Sequence, residues 1–337
     1  MRILLLGGSG LLSGAARRAF LRAGHDVTML TRGERALSAH ARLAIVRADR
    51  TDPDALAAAL RGKRFDLTVD FLAFDAADVE RLLAVPVFAP GRLVVISSGQ
   101  VYLVTASARP PFREEAAEAA LMPEPAPGTR DHGEWAYGMG KRAAEAALAR
   151  AVAADPGLCG LSLRLPVVQG EEDGRGSRRL WAWIERMLDG GPVLLPEGGR
   201  QLVRFVHADD VAEALVALAN MAEWPTLGAM NLAQPDETSL REFLARVAAL
   251  AGVSPRFVDV DREALERAGL AETCAPYWGR WCSRPDPARA IQLLGVHPRT
   301  FAEYLPGVVR AHLKRPRPES HPGYVRRAEE IALASRS

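Results

Sequence analysis

Continuous apolar runs, each followed by a helical stretch, recur through the first half of this chain and limit its fold more tightly than any other feature. The runs are Ile3–Leu6, Val27–Thr31, Leu43–Val46, Leu67–Leu72 and Leu93–Ile96. A strand that is apolar at every position has both faces covered, and packed helices are what cover them. Helices are expected at about Ala15–Ala23, at Asp54–Leu60 behind Pro53, and near Ala76–Leu83. Proline suits a first helical turn, and Gly24 suits the end of the first helix. The alternation predicts an α/β fold, a Rossmann-type doubly wound parallel sheet.

Regularity stops between Val104 and Trp135, where PPFREE and LMPEPAPG read as a long surface loop. A strong helix over about Ala136–Ala153 and a strand at Leu161–Leu165 follow. Beyond Pro166 the units are smaller: a helix around Ser177–Leu188, a strand near Val203–Val206, and helices at Asp209–Asn220 and Ser239–Ala251. The division expected is a nucleotide-binding domain over 1–166 to which 200–233 returns. A smaller C-terminal α/β substrate domain takes 167–199 and 234–313. Residues 314–337 form a basic, proline-rich tail, either solvated or packed on a subunit.

At 337 residues the chain can bury a full core, and a net charge of +2 gives no reason to expect a nucleic-acid or membrane partner. No apolar stretch reaches the roughly 18 residues of a membrane span, and the first apolar run breaks into glycines with no cleavage pattern. Cys159, Cys274 and Cys282 are odd in number and unpaired in spacing. Neither a disulfide framework nor a metal site is expected, and a cytoplasmic location is.

Behind the first strand stands GGSGLLSG, Gly7 to Gly14. Gly7 permits a tight turn, Gly10 lets backbone approach a pyrophosphate, and a small third residue lets helix pack on sheet. Ser13 occupies that third place, which weakens the fingerprint without breaking it. Such a loop can also be a purely structural turn. At the end of the second strand TMLTRGE has no carboxylate before Glu34, whereas Arg32 can neutralise a 2′-phosphate. NADP is therefore favoured over NAD, unless Arg32 is simply one of many exposed arginines. Asp49 sits where an acid can reach an adenine amino group or cap a helix.

The chemistry lies in AYGMGK, where Tyr137 and Lys141 share one helical face. A free tyrosine has a pKa near 10, and a neighbouring ammonium favours its phenolate. Lysine can also hold a nicotinamide ribose. VVISSGQVY ends the fifth strand with Ser97 and Ser98, at the crevice where open sheets bind ligands. Ser98 can hold a substrate oxygen while Tyr137 moves its proton.

On these residues the chain resembles an extended short-chain dehydrogenase/reductase of the NAD(P)-dependent epimerase/dehydratase family. The resemblance places Gly7, Gly10, Leu11, Leu12, Arg32, Asp49, Leu72, Ala73, Lys141 and Pro166 at the cofactor. It makes Ser98, Tyr137 and Lys141 catalytic, and Ser98, Gln100 and Arg204 substrate-binding. Arg164–Leu165–Pro166 resembles the strand that passes the nicotinamide, and RFVHADDVAEAL matches a family segment. DFLAF and TRGE resemble a subset that includes chloroplast stem-loop-binding-like proteins. The resemblance also implies a departure. Dehydratases of the family carry an Asp–Glu pair after the catalytic hydroxyl residue, and here those places hold Gly99 and Gln100, which disfavours a 4,6-dehydratase.

Arg204 falls where a nucleotide diphosphate is held in the family, with an ion pair to Asp209 or Asp210 as the alternative. His207 reads as structural, and the aromatics of PYWGRW and the pair Trp181 and Trp183 as packing of the smaller domain. The resulting expectation is hydride transfer between NADP, or alternatively NAD, and a small-molecule hydroxyl or keto substrate, a sugar nucleotide. A homodimer is the assembly to test for. The alternatives are an NADPH-dependent ketone reductase on a non-sugar substrate and a non-catalytic nucleotide- or RNA-binding scaffold.

Overall fold

The computed structural model describes residues 1–7, 10–33, 39–85, 88–172, 178–314 and 317–336, the side chain of Glu272 excepted. Gly8 and Ser9 of the glycine turn, Glu34 and Ser177 lie outside the described residues. Two compact units are present. The first takes Met1–Val168, Val206–Ala233 and Ser283–Pro298, and the second Gln169–Phe205, Gln234–Cys282 and Arg299–Ser337.

The first unit is built on the parallel sheet that the apolar runs predict. Its strands are β1 (Arg2–Leu6), β2 (Asp26–Thr31), β3 (Leu43–Arg47), β4 (Leu67–Asp70), β5 (Arg92–Ser98) and β6 (Cys159–Leu165), with Ala229–Asn231 as a seventh. The order across the sheet is β3, β2, β1, β4, β5, β6 and then Ala229–Asn231, with neighbours paired in parallel. Strand order reverses between β1 and β4, which opens a ligand crevice at their carboxyl ends.

Both faces are covered, as the continuous runs require. Ile3, Leu5, Val27 and Met29 pack with Ala15, Ala16 and Phe20 of α1 (Leu11–Arg22) and with Val211 and Leu215 of the helix Ala208–Asn220. Leu4, Leu6 and Leu30 point the other way. They meet Leu56 and Leu60 of α2 (Pro53–Leu60), Val79 and Leu82 of α3 (Ala76–Leu83), and Ala144 and Leu148 of α5 (Arg130–Ala154). Asp52 caps α2 by accepting from the amides of Asp54 and Ala55. Asp75 caps α3 through the amide of Asp78. A short helix, α4 (Gln100–Leu103), follows β5 directly.

Four sequence expectations are corrected. The stretch 104–135 is not loop throughout: α5 starts at Arg130, with Thr129 as its N-cap, and Phe112, Glu114 and Ala117 are buried. Gly133 and the polar residues of RDHGEW hide that first turn from any apolar period. The expected strand at Val203–Val206 divides into Leu202–Val203 and Val206–His207. The chain returns to the first unit at Val206 and not at 200, because Phe205 joins an aromatic cluster of the second unit with Phe243, Tyr277 and Phe301. It returns again at Ser283–Pro298, where residues 284 and 286 exchange backbone hydrogen bonds with Phe112.

The tail is the fourth correction. Residues 317–336 belong to the second unit, within which Arg327 and Glu330 are buried. Arg186, on the helix Arg179–Leu188, grips Glu330 with a two-pronged ion pair at 2.8 and 2.6 Å, and both side chains are 1% exposed. Arg327 joins the same carboxylate and also binds Asp189. Trp181 and Trp183 are buried on that helix, and Tyr277 and Trp278 are buried too, so these aromatics pack the smaller unit. Among the described residues no helix is long and apolar enough to cross a membrane.

Removing one partner of a fully buried ion pair leaves an uncompensated charge. Glu330→Ala is therefore expected to destabilise the protein by about 3–5 kcal/mol. The double change Arg186→Met with Glu330→Leu should recover most of that loss. Denaturant unfolding followed by tryptophan fluorescence checks both.

Candidate active site of the first unit

The glycine turn does what its sequence suggests at the positions described. Gly7 has φ +88°, and a side chain there would press on Leu72, whose Cγ lies 3.1 Å from the ideal Cβ position. Gly10 caps α1 through its backbone, and its amide donates to the Ser13 hydroxyl at 3.2 Å. Ser13 is buried, so the third small position is filled by a hydroxyl that binds the turn itself. A cavity of about 670 Å³ opens beside this turn. Its walls include Gly7, Gly10, Leu11, Leu12, Arg32, Asp49 and Leu72. Those are seven of the ten residues expected at a cofactor. The size falls within the range of small-molecule sites.

Asp49 is exposed and accepts from the amide and hydroxyl of Thr51 at 2.8 and 2.7 Å. The Thr51 amide, then its hydroxyl, holds the carboxyl below its ordinary range. Asp49 is no helix cap, since Asp52 takes that role.

Ala73, Lys141 and Pro166 are not among the cavity's wall residues. Ala73 and Pro166 are buried, and Ala73 acts through its carbonyl. Lys141, 3% exposed, donates from Nζ to Ala73 O at 2.7 Å and to Ile96 O at 2.9 Å. Its ammonium also lies 4.8 Å from the Phe74 ring centre and 5.8 Å from that of Tyr137. Burial lowers its pKa to about 8, against the pull of Asp70, Asp78 and Glu145. Tyr137 is 39% exposed, so Lys141 lies buried while the ring above it is open to a ligand. Gly140 makes this possible, because any side chain there would strike the Phe74 carbonyl.

The two serines of β5 separate by the pleat of the strand. Ser97 is buried and gives its hydroxyl to Glu145, which Arg164 grips at 2.9 and 2.6 Å. Ser98 is half-buried, and its oxygen accepts the Gln100 amide at 3.2 Å. Of the two, Ser98 is the more exposed.

Other expected site residues have partners within the chain. The Gln100 side chain is buried and donates to Glu134 at 2.7 Å, so the amide expected at substrate is held by that carboxylate. Arg204 belongs to the second unit, where it lies 3.4 Å from Glu237. Asp209 faces Arg18 at 3.8 Å. His207 is buried and caps its helix by accepting the Asp209 amide. Sequence reasoning missed Arg50, Phe74, Glu134 and Glu145, because each gains its meaning from a partner distant in the chain.

A family model described as the NAD dependent epimerase/dehydratase family matches residues 3–233. The chain belongs to that family, whose cofactor is a nicotinamide dinucleotide, and solved structures of this fold carry NAD or NADPH. It is 30% identical over 227 residues to a 2′-dehydrokanamycin reductase of Streptomyces kanamyceticus. That match spans 65% of this chain and 58% of the reductase's length. A structure of MoeE5 in complex with UDP-glucuronic acid and NAD superimposes with a TM-score of 0.68 at 21% identity, covering 92% of this chain and 98% of that one. The UDP-glucose 4-epimerase of Thermotoga maritima, solved with UDP-glucose, gives a TM-score of 0.69 at 19% identity with the same coverages. At these identities the structural likeness shows the fold.

The depressed lysine makes a pH prediction. Unfolded Lys141 holds its proton to about 10.5, and the folded one releases it near 8. Between those values the unfolded state binds more protons, so stability rises with pH. Relative to Lys141→Met, the wild-type unfolding free energy is expected to gain roughly 3 kcal/mol across that window. Denaturant titrations of both proteins on either side of it test this, and a constant difference would show an unshifted amine.

Proposed function

We propose that the protein is an NADP-dependent oxidoreductase that reduces a keto carbon of a sugar or sugar-like substrate, or oxidises the corresponding alcohol. The observation that carries this reading is the Lys141 ammonium, held by two backbone carbonyls beneath the open ring of Tyr137. The bound dinucleotide would supply or accept the hydride. Gly7, Gly10, Leu11, Leu12 and Leu72 would line its seat, with Asp49 toward the adenine and Arg32 toward a 2′-phosphate. The glycine turn and the adjoining cavity fit such a group.

The chain's own residues then divide the proton work. The Ser98 hydroxyl donates to the substrate oxygen and fixes it beside Tyr137. The Tyr137 hydroxyl gives that oxygen its proton as the carbonyl is reduced, or takes it in the opposite direction. Lys141 favours the phenolate that remains, because its positive charge lies about one ring away. One of its three N–H groups stays available for a ribose hydroxyl, since two bind Ala73 and Ile96.

A 4,6-dehydratase is disfavoured by shape as well as by sequence. A Cβ at Gly99 would lie 2.6 Å from the Ser283 Cβ and closer still to its hydroxyl, so an acid there would require the Ser283 segment to move. The reductase named among the relatives supports the reductive direction, and the UDP-sugar complexes support a sugar as the substrate class. An epimerase on a sugar nucleotide is the second reading, favoured by the same triad.

Three measurements test the proposal. Tyr137→Phe is expected to lower hydride transfer by about 10²–10⁴-fold with dinucleotide affinity retained. Arg32→Ala should cut the preference for NADPH over NADH by roughly tenfold, the worth of one charge-assisted contact, in fluorescence titrations. Mass spectrometry of the denatured protein separates the two readings. Retained NAD(H) or NADP(H) favours the epimerase, and an empty protein that binds NADPH more tightly than NADH favours the reductase. If it binds neither, the enzyme reading falls.

A further inference from the structure

The segment Phe71–Phe74, between β4 and α3, carries the carbonyl that holds Lys141, and it is pinned at several points. The Leu72 amide donates to Asp70 Oδ1 at 2.8 Å, and the Phe74 amide to Asp78 Oδ2 at 2.8 Å. Leu72 rests on Gly7, and the Phe74 carbonyl rests on Gly140. Asp70 and Asp78 flank the segment on either side, and one side chain from beyond the end of another strand joins them. Arg50, just beyond β3, donates from Nη1 to Asp70 Oδ1 at 2.6 Å and from Nη2 to the Asp78 carbonyl at 2.9 Å. Its Nε faces the Asp78 carboxylate at 3.6 Å. Arg50 is 8% exposed and Asp70 fully buried, yet Arg50 still lines the dinucleotide cavity.

Burying a guanidinium is unfavourable unless its fork is used. Here the fork spans two anchors eight residues apart in the chain. We propose that Arg50 is a positioning residue for Lys141: by bridging Asp70 and Asp78 it fixes Phe71–Phe74, so that the Ala73 carbonyl meets the lysine amine and water stays out. A lysine in place of Arg50 would keep the charge but reach one anchor, not both. The inference rests on the reading of Lys141 as the partner of Tyr137, but its test needs no turnover.

The chain has three lysines, Lys63, Lys141 and Lys314, and the other two are exposed. With lysine labelled by ¹³C at Cε, NMR follows each amine separately, and Lys141→Met identifies the buried one. The wild-type Lys141 midpoint is expected near 8. The charged groups acting on Lys141 are Asp70, Asp78, Glu145 and Arg50, with the Tyr137 hydroxyl above. Burial is the largest cause of the depression, so a loosened segment admits water and the midpoint rises. Arg50→Lys is expected to raise it by about one pH unit. A midpoint that stays or falls in Arg50→Lys overturns the proposal, including the case in which only Arg50→Met moves it, since charge alone would then explain Arg50. If the Arg50 variants do not fold, Asp78→Ala decides. Loss of its negative charge alone would lower the Lys141 midpoint, whereas release of the segment raises it, so a fall or no change overturns the proposal. Should Tyr137→Phe leave hydride transfer intact, the catalytic reading fails while this titration still decides the role of Arg50.

Discussion

A buried ammonium has few ways to survive, and the first unit is arranged around one of them. Lys141 leaves water almost completely and recovers part of that cost from two backbone carbonyls, Ala73 and Ile96. The acceptors lie on neighbouring strands or just beyond them, so the amine can be held only if β4 and β5 run parallel and in register. Their pairing, from Leu67 with Arg92 to Asp70 with Val95, supplies that register. The helix carrying Lys141 must also come close to the sheet, which is why Gly140 sits beside the lysine. Position of the strands, approach of α5 and depression of the amine pKa are thus one constraint seen at three scales.

The carboxylates around this amine are graded by what they already hold. Glu145 is gripped by Arg164 and Ser97, and Asp70 by Arg50 and the Leu72 amide. Neither is free to form a direct ion pair with Lys141, so each acts on it only through the field. The amine therefore stays depressed despite three acids nearby, because burial outweighs their pull. A direct pair would have raised the amine and held it in place. Hydrogen bonds to carbonyls hold it equally well and leave it near neutrality.

Much of this was legible in the sequence, for reasons that can be named. Continuous apolar runs are a direct signature of strands covered on both faces, and the strands at Ile3–Leu6 and Leu43–Val46 extend by only a residue or so in the structure. Tyr137 and Lys141 share a helix, so their spacing alone places them together. Seven residues expected at the cofactor lie on one cavity because the turn, β2, β3 and β4 all end at the same edge of the sheet. What stayed hidden depends on partners far apart in the chain. Nothing near Arg50 points to Asp70 or Asp78, nothing near Ser283 points to Gly99, and nothing near Arg186 points to Glu330. The attachment of the tail is hidden for the same reason: nothing in its sequence shows that Glu330 meets Arg186. Arg204 and Gln100 read as ligand contacts in the sequence, and in the structure each also faces an acid of this chain.

The different surroundings of Ser97 and Ser98 show how far local geometry alone can separate two like residues. The two residues are chemically identical and adjacent, and both end β5. Successive side chains of a strand point to opposite faces, so one of the pair must turn under α5. Ser97 does, and there it meets Glu145, already anchored by Arg164. That leaves Ser98 facing away from the glutamate, with its oxygen steadied by the Gln100 amide at the start of α4. Moving β5 by one residue would exchange the two roles and place the free hydroxyl under the helix. The same slip would carry Ile96 O away from Lys141. Register of this one strand therefore fixes both which hydroxyl is left half-exposed and which carbonyl holds the amine.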